Sequence, residues 1–413
     1  MKFIIKKELI KKVLQKILPI TTSSNNLAII ECVLMSLKGN ELTIKATNTE
    51  IGLIGKYAVD GKEDGEVAVN CRVLNNLTKN FTEDIEIKVK DNKLVLSANN
   101  ANYKIQIADI DNFPYFRPEI ETCETVPFPG LKKFIAEMIQ TKDKDDRRPH
   151  ACGAYLVSNT EMISTDGSRL NVSKALDEIE TRDFRQLIPK KALFLVKNFL
   201  ESEESFRIGF IKDNLVESVK KSEEINEDYE DNEDSEDNEN NDEDIEEDAD
   251  SEGDDNVIVN NEPENKENFV FAVLRAGQES LCIRLLEGTF PKYNELVDVS
   301  GGYAVNFNKK KLIESLLRIQ SITSEQYRAV VFDLSQEKLK LTAQNPEVGE
   351  AEEVLDITWQ KEPMQIAVNP AFITQALNCI NQETVDIYFG VNEKRPIIIY
   401  TKMFLSVVMP MKL

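Results

Sequence analysis

The chain has a single histidine, His150, and a thiol two residues later, Cys152. An imidazole and a thiolate together could hold a metal ion or form a nucleophile–base pair. Either chemistry needs more partners than the sequence supplies. Cys32, Cys71, Cys123, Cys282 and Cys379 form no C-x-x-C pair and lie far from His150 along the chain. The thiols read as free cysteines of a reducing compartment, and no metal or cofactor is expected. Ser168 in "TDGSRL" (165–170) offers a hydroxyl but no G-x-S-x-G frame, and a triad would have one histidine to draw on. "NPEVGEAEE" (345–353) is rich in carboxylates, without the spacing of a calcium loop. Enzyme chemistry is therefore not expected.

Charge is the other chemistry on offer. The formal net charge is −23, which on its face argues against a polyanionic partner. The acidity is local, however. Residues 222–264 hold 23 of the 73 acids and no Lys or Arg, which leaves 50 acids against 50 Lys and Arg elsewhere. This stretch includes "NEDYEDNEDSEDNENNDEDIEEDADSEGDDN" (226–256) and has almost nothing apolar to bury. It reads as a disordered insert spanning about 218–267. The start, "MKFIIKKELIKK", is too charged for a signal peptide. No apolar run reaches the roughly 18 residues of a membrane helix. A soluble, cytoplasmic protein is expected.

The elements that must carry these charges recur. In 3–18, Leu9, Ile10, Val13, Leu14, Ile17 and Leu18 share one helical face. Leu131, Phe134, Ile135, Met138 and Ile139 repeat the stripe, and so do Leu312, Ile313, Leu316 and Leu317, with Asn308 as N-cap. Lysines flank all three. A second amphipathic helix, each time after a strand, recurs within 67–81, 186–200 and 365–380. Period-two stretches such as "DIEIKVKDNKLVLSA" surround them, with "KDNK" and "NNAN" as hairpin turns. The unit is about 120 residues and is used three times: 1–121, 122–297 and 298–413. The acidic run interrupts the second copy between two strands, a place where a long loop costs little. The fold class is α+β: three similar domains, each of two helices and antiparallel sheets. Basic helices repeated three times suggest a phosphate-facing surface.

Several segments together resemble one family. "MKFIIKKELIKKVLQKIL" at the start, "STDGSRL" (164–170), "EGTFPKYNEL" (287–296), "AQNPEVGEAEEVLDITW" (343–359) and the terminal "FLSVVMPMKL" (404–413) are similar to the bacterial sliding clamp, the beta subunit of the replicative DNA polymerase. The resemblance runs end to end apart from the insert. It implies the DNA clamp fold and a head-to-tail homodimer of three-domain subunits, a ring around duplex DNA with helices lining the hole. It also implies loading by an ATP-driven clamp loader, partnership with DNA polymerase and repair proteins through short peptide motifs, and no catalytic activity.

The physics of a sliding tether agrees: topological closure plus weak, sequence-blind phosphate contacts. Candidate DNA-facing residues are Lys7, Lys11, Lys12, Arg72, Lys132, Lys133, Lys190, Lys191, Lys309, Lys310 and Arg318. Ser24 stands where the family often has a DNA-touching Arg. The resemblance implies a partner-peptide pocket of Thr165, Gly167, Ser168, Arg169, Leu170, Pro291, Leu296, Val407, Val408, Met409, Pro410 and Met411. Exposed Met and Val make an adaptable apolar floor. Ser168 replaces a common His, Glu295 an occasional Arg, and Ala151–Cys152 a bulkier residue. At the dimer seam the implied residues are Tyr103, Ser321, Ile322 and Glu350. The rival reading is an acidic, chaperone-like protein that binds basic partners through its insert.

Overall fold

A computed structural model describes residues 1–21, 28–114, 116–117, 119–141, 148–175, 180–199, 205–212, 269–324 and 326–412. The acidic run and Ser24 lie outside the described residues. The chain forms two units, Met1–Ile211 with Phe271–Leu413, and Lys212–Val270. In the second, the Lys212 ammonium lies 5.9 Å from the Phe269 ring centroid.

One order of elements occurs three times: a strand, a helix, four strands, a helix, three strands. The first repeat runs Lys2–Ile5, helix α1 (Lys7–Thr21), strands Cys32–Lys38, Glu41–Thr47, Ile51–Ala58 and Gly65–Asn70, helix α2 (Cys71–Thr78), then Ile85–Lys90, Lys93–Ala98 and Ala101–Ala108. It has one extra short strand, Asp60–Glu63. The second runs Val126–Pro127, α3 (Leu131–Met138), Gly153–Ser158, Glu161–Thr165, Arg169–Lys174, Asp183–Pro189, α4 (Lys190–Phe199), Arg207–Lys212, Phe269–Ala276 and Glu279–Arg284. The third runs Tyr303–Asn308, α5 (Lys309–Gln320), Val330–Ser335, Lys338–Asn345, Gly349–Asp356, Met364–Val368, α6 (Pro370–Asn378), Thr384–Phe389, Ile397–Tyr400 and Phe404–Val408.

Local sequence explains much of this. Asn70, Asn308 and Asn369 precede α2, α5 and α6 as N-caps, and each side-chain oxygen accepts from a backbone N–H of the first turn. Asp91–Asn92 and Asn99–Asn100 all have φ between 52° and 59°, the left-handed pairs that tight hairpins require. The apolar stripes face inward: Ile10, Val13, Leu14 and Ile17 are buried, as are Leu131, Phe134, Ile135 and Met138. Leu317 departs from the expected stripe. It is 54% exposed, and Ser315 and Ile319 are buried on α5 in its stead. At 100° per residue, the face set by Leu312, Leu316 and Ile319 turns Leu317 outward.

The repeats are joined by backbone pairing as well as by linkers. Ile51–Ala58 of the first pairs antiparallel with Glu279–Arg284 of the second, placing Leu53 opposite Leu281. Arg169–Lys174 of the second pairs antiparallel with Phe404–Val408 of the third, placing Asn171 opposite Ser406. One rule covers both seams: the third strand after a repeat's first helix takes the last strand of the next repeat. The helices pair as α1 with α2, α3 with α4 and α5 with α6, and α1 meets α4 across the first seam. No helix among the described residues is long and apolar enough to cross a membrane.

Candidate nucleic-acid face and partner cleft

The lysines on the helices divide by environment. Lys12, Arg72, Lys132, Lys191 and Lys310 are exposed, and Lys11 is half-buried. Lys7 lies 3.5 Å from the Glu8 carboxylate. Three others are tied down. Lys309 donates to the Ile380 carbonyl at 2.6 Å. Lys133 donates to the carbonyls of Lys174 and Met403, and burial pushes its pKa down. The Arg318 guanidinium is exposed but forks onto Glu353, at 2.6 and 2.8 Å; this hydrogen bond holds the Glu353 carboxyl below its usual range.

Lys190 overturns its expected place on a phosphate-facing surface. It is 5% exposed, and its ammonium donates to the carbonyls of Thr141, Ala151 and Thr165. A charge so enclosed has spent its donors on three carbonyls and has none left for a phosphate. The α6 segment, PAFITQALN, carries no lysine or arginine at all.

The proposed pocket residues meet at the second seam. Asp166 accepts from the backbone N–H groups of Ser168 and Arg169, and the Gly167 N–H donates to the Thr165 hydroxyl. Gly167 has φ +83°, which suits glycine. The Met409 N–H donates to the Ser168 carbonyl and extends the seam by one bond. Period two then sorts the terminal strand. Val407 joins Leu170, Ile163 and Leu405 in an outward cluster, with Met409 packed against it. Val408 points the opposite way into the core of the third repeat, which removes it from the pocket. Gly167, Ser168, Pro291 and Leu296 are exposed, while Pro410 and Met411 are half-buried. Leu296 lines a neighbouring cavity of about 270 Å³ with Tyr388 and Arg395.

Arg169 and Thr165 are as enclosed as Leu170 and Val407, and their polar atoms are held by partners within the chain. Arg169 is 5% exposed. Its guanidinium donates to Asp166 at 3.0 Å, to Gln375 Oε1 at 2.5 Å and to the Gln140 carbonyl, and lies 4.2 Å from the Phe372 ring centroid. Gln375 and Phe372 belong to α6, so Arg169 bolts the second repeat to the third. The Thr165 hydroxyl, 8% exposed, donates to the Arg169 carbonyl at 2.8 Å.

Sequence reasoning missed Tyr155, Phe290, Tyr293 and Val297, which cover the outward cluster. Tyr155 stacks on Phe290 with centroids 4.9 Å apart and rings 6° from parallel. The alternation of Tyr155 with buried Ala154 and Leu156 in "GAYLVS" was the available signal.

Both seams bury charge. At the first, Lys16 pairs with Glu279 at 2.5 Å with side chains 7% and 9% exposed, and the Tyr57 hydroxyl donates to Glu279 at 2.7 Å. Burial, then the Glu279 charge, raises the Tyr57 pKa. At the second, burial pushes the Glu137 carboxyl up to about 7, against the pull of Ser173 and of Lys133, which lies 3.8 Å away. Its Oε2 is buried and has no hydrogen-bond partner among the described residues.

The residues expected at a dimer seam sit at two ends of the pairing scheme. Tyr103 is 40% exposed on Ala101–Ala108, 5.6 Å from the Phe81 ring. Glu350 is exposed on Gly349–Asp356, which pairs only with Lys338–Asn345 among the described residues. Ser321 caps α5, and the Ile322 carbonyl accepts from Asn345 at 3.0 Å. No cluster of three or more His, Cys, Asp or Glu suited to a metal occurs among the described residues.

Comparison with known proteins adds the following. Residues 1–117 match the model of the DNA polymerase III beta subunit, N-terminal domain, and 302–412 that of its C-terminal domain, together more than half of the chain. A beta sliding clamp of Pseudomonas putida is 23% identical over 398 residues, covering 93% of this chain and 92% of the relative. One of Rickettsia felis is 24% identical over 373 residues, covering 86% and 84%. The crystal structure of the DNA polymerase III subunit beta from Pseudomonas aeruginosa superposes with a TM-score of 0.79 at 20% identity, over 100% of both chains. A sliding clamp from Bartonella birtlesii bound to griselimycin gives 0.78 at 17%, also over the full length of both. These likenesses lend no support to an acidic chaperone.

Proposed function

Since the chain belongs to the DNA polymerase III beta subunit family and is a sliding clamp, a replication processivity factor, we propose that it works as a head-to-tail homodimer closed around duplex DNA. One observation carries this. The strand rule that joins the first repeat to the second, and the second to the third, leaves Gly349–Asp356 and residues 101–106 as the two edges still open to it. A second copy satisfies both edges at once, and a rotation that closes makes a ring. The three repeats are then the domains 1–121, 122–297 and 298–413. Lys11, Lys12, Arg72, Lys132, Lys191 and Lys310 form the sequence-blind phosphate surface. Lys7, Lys133, Lys309 and Arg318 act on it only through their own fixed partners.

The second seam takes the partner peptides. Leu170, Val407 and Met409 are the apolar floor, Gly167, Ser168, Pro291 and Leu296 the rim, and Pro410 and Met411 one wall. DNA polymerase and repair proteins dock there, and a clamp loader opens the ring. The test is topological. Protein loaded on nicked circular DNA stays bound and leaves when the circle is linearised. Equal retention on both forms refutes encirclement.

A further inference from the structure

The first seam repeats the second bond for bond. The Thr47 hydroxyl donates to the Ile51 carbonyl as Thr165 does to Arg169. Asn48 accepts from the N–H groups of Glu50 and Ile51 as Asp166 does from Ser168 and Arg169. The Arg284 N–H reaches the Glu50 carbonyl as Met409 reaches Ser168, and Leu286 reaches Leu187 as Met411 reaches Ala367. The backbone that frames the partner cleft is therefore built twice.

What differs is the filling. Chain equivalence sets Ile51 against Arg169, and Ala192 on α4 against Phe372 on α6. At the second seam the guanidinium stacks on the phenyl ring and fills the space between them. At the first, a shorter aliphatic and a methyl leave a cavity of about 460 Å³, lined also by Phe194, Leu285 and Leu286. Phe194 is 41% exposed at its lip. A second hollow of about 200 Å³ at the seam has Glu50, Phe116 and Phe271 in its walls. Glu50 lines both, with Ile51 in the wall of the first and Gly52 in that of the second.

The geometry points to this seam as a second docking cleft, for an extended partner peptide anchored by an aromatic side chain. The chemistry of the anchor is given by the molecule itself: an aromatic ring occupies the equivalent space one repeat later. The inference rests on the reading of the second seam as the partner cleft, and deepens it to two sites per subunit.

The test uses the full chain and a fluorescein-labelled peptide, Gly-Leu-Asp-Leu-Phe, titrated to saturation by anisotropy with calorimetry for stoichiometry. Two peptides per chain are expected. Deleting residues 409–413 removes one. Ile51→Arg with Ala192→Phe rebuilds the second-seam filling and removes the other, weakening that site at least tenfold. Should the double variant fail to fold, Phe194→Asp at the exposed lip is read instead, with the same expected loss. One site per chain, lost on the 409–413 deletion and unmoved by the Ile51/Ala192 and Phe194 variants, overturns the inference and leaves the second-seam cleft standing. Two sites that both survive the 409–413 deletion overturn the second-seam reading.

Discussion

The open edges predict a register as well as a partner. Leu53 lies opposite Ala46 within its sheet, Asn171 opposite Ser164 and Ala351 opposite Ala343, so Leu53, Asn171 and Ala351 are equivalent. Leu281 follows its hairpin pair Ala276–Glu279 by two residues, as Tyr103 follows Ala98–Ala101. The pairing of Leu53 with Leu281 therefore predicts that Ala351 meets Tyr103 of the second copy, and that Glu350 meets Lys104. The sign of the charges fits. An exposed pair of this kind contributes about 0.2–1 kcal/mol, and like charges directly opposite cost a similar amount. A closed dimer has two such seams, so Lys104→Glu loses two attractions and adds two repulsions, about 2 kcal/mol in all. That is roughly a thirtyfold weaker dimer. Sedimentation across a dilution series measures it, and the effect shrinks with salt because the pair is exposed. Glu350→Lys on the Lys104→Glu background restores the dimer. A shift of one residue would turn every side chain to the other face, so Tyr103→Cys with Ala351→Cys should crosslink between copies and Tyr103→Cys with Glu350→Cys should not. An unaltered dimer in Lys104→Glu, or no rescue by the swap, refutes the register.

Other outcomes follow from the charges. Glu137 has its folded pKa raised from 4.5 to about 7, so its ionisation costs stability. The cost is absent below about pH 4.5, grows as pH rises through 7 and is full above it, at about 3 kcal/mol; denaturant unfolding of Glu137→Gln should show a gain at pH 8 that disappears at pH 4.5. Lys132→Ala and Lys310→Ala should each lower the slope of log affinity against log salt by about 0.9, whereas Lys190→Ala should leave that slope alone and destabilise the chain by about 1–3 kcal/mol, through carbonyls left without a donor. Excising residues 222–264, which lie outside the described residues, should preserve folding and dimerisation and raise nonspecific DNA affinity at low salt, as read by filter binding at two salt concentrations.

The repeat, its helices and its hairpins were legible because their signals are local. Asn308 caps three residues ahead of the N–H it serves, and the Asn99–Asn100 pair states its own φ. The fate of Lys190 was not legible. Its carbonyls come from residues 141, 151 and 165, which only the tertiary fold brings to one point, and "KK" at a helix start reads as surface. The partners of Arg169 were not legible for the same reason, since Gln375 lies 206 positions away. Val407 and Val408 were both placed in the pocket because the motif names residues and not faces; strand alternation separates them.

The two seams within the chain share a backbone plan, which the seam proposed between copies would repeat, and they differ in what closes them. At the first, the enclosed Lys16–Glu279 pair, with half-buried Tyr57 donating to Glu279, locks the pairing, and breaking such a pair costs about 3–5 kcal/mol because it strands a buried charge. At the second, Arg169 spans Asp166, Gln375 and Phe372 to the same end. The edges proposed for the third carry Glu350, Lys104, Tyr103 and Val354, all exposed in the single chain. Exposed charges hold weakly and yield to salt. In the proposed ring, a loader opening the third joint would meet no counterpart of the Lys16–Glu279 pair, because Ala101 stands where Glu279 does. On this reading the proposed ring would open at the joint between copies, where strands equivalent to those of the two inner seams carry different side chains.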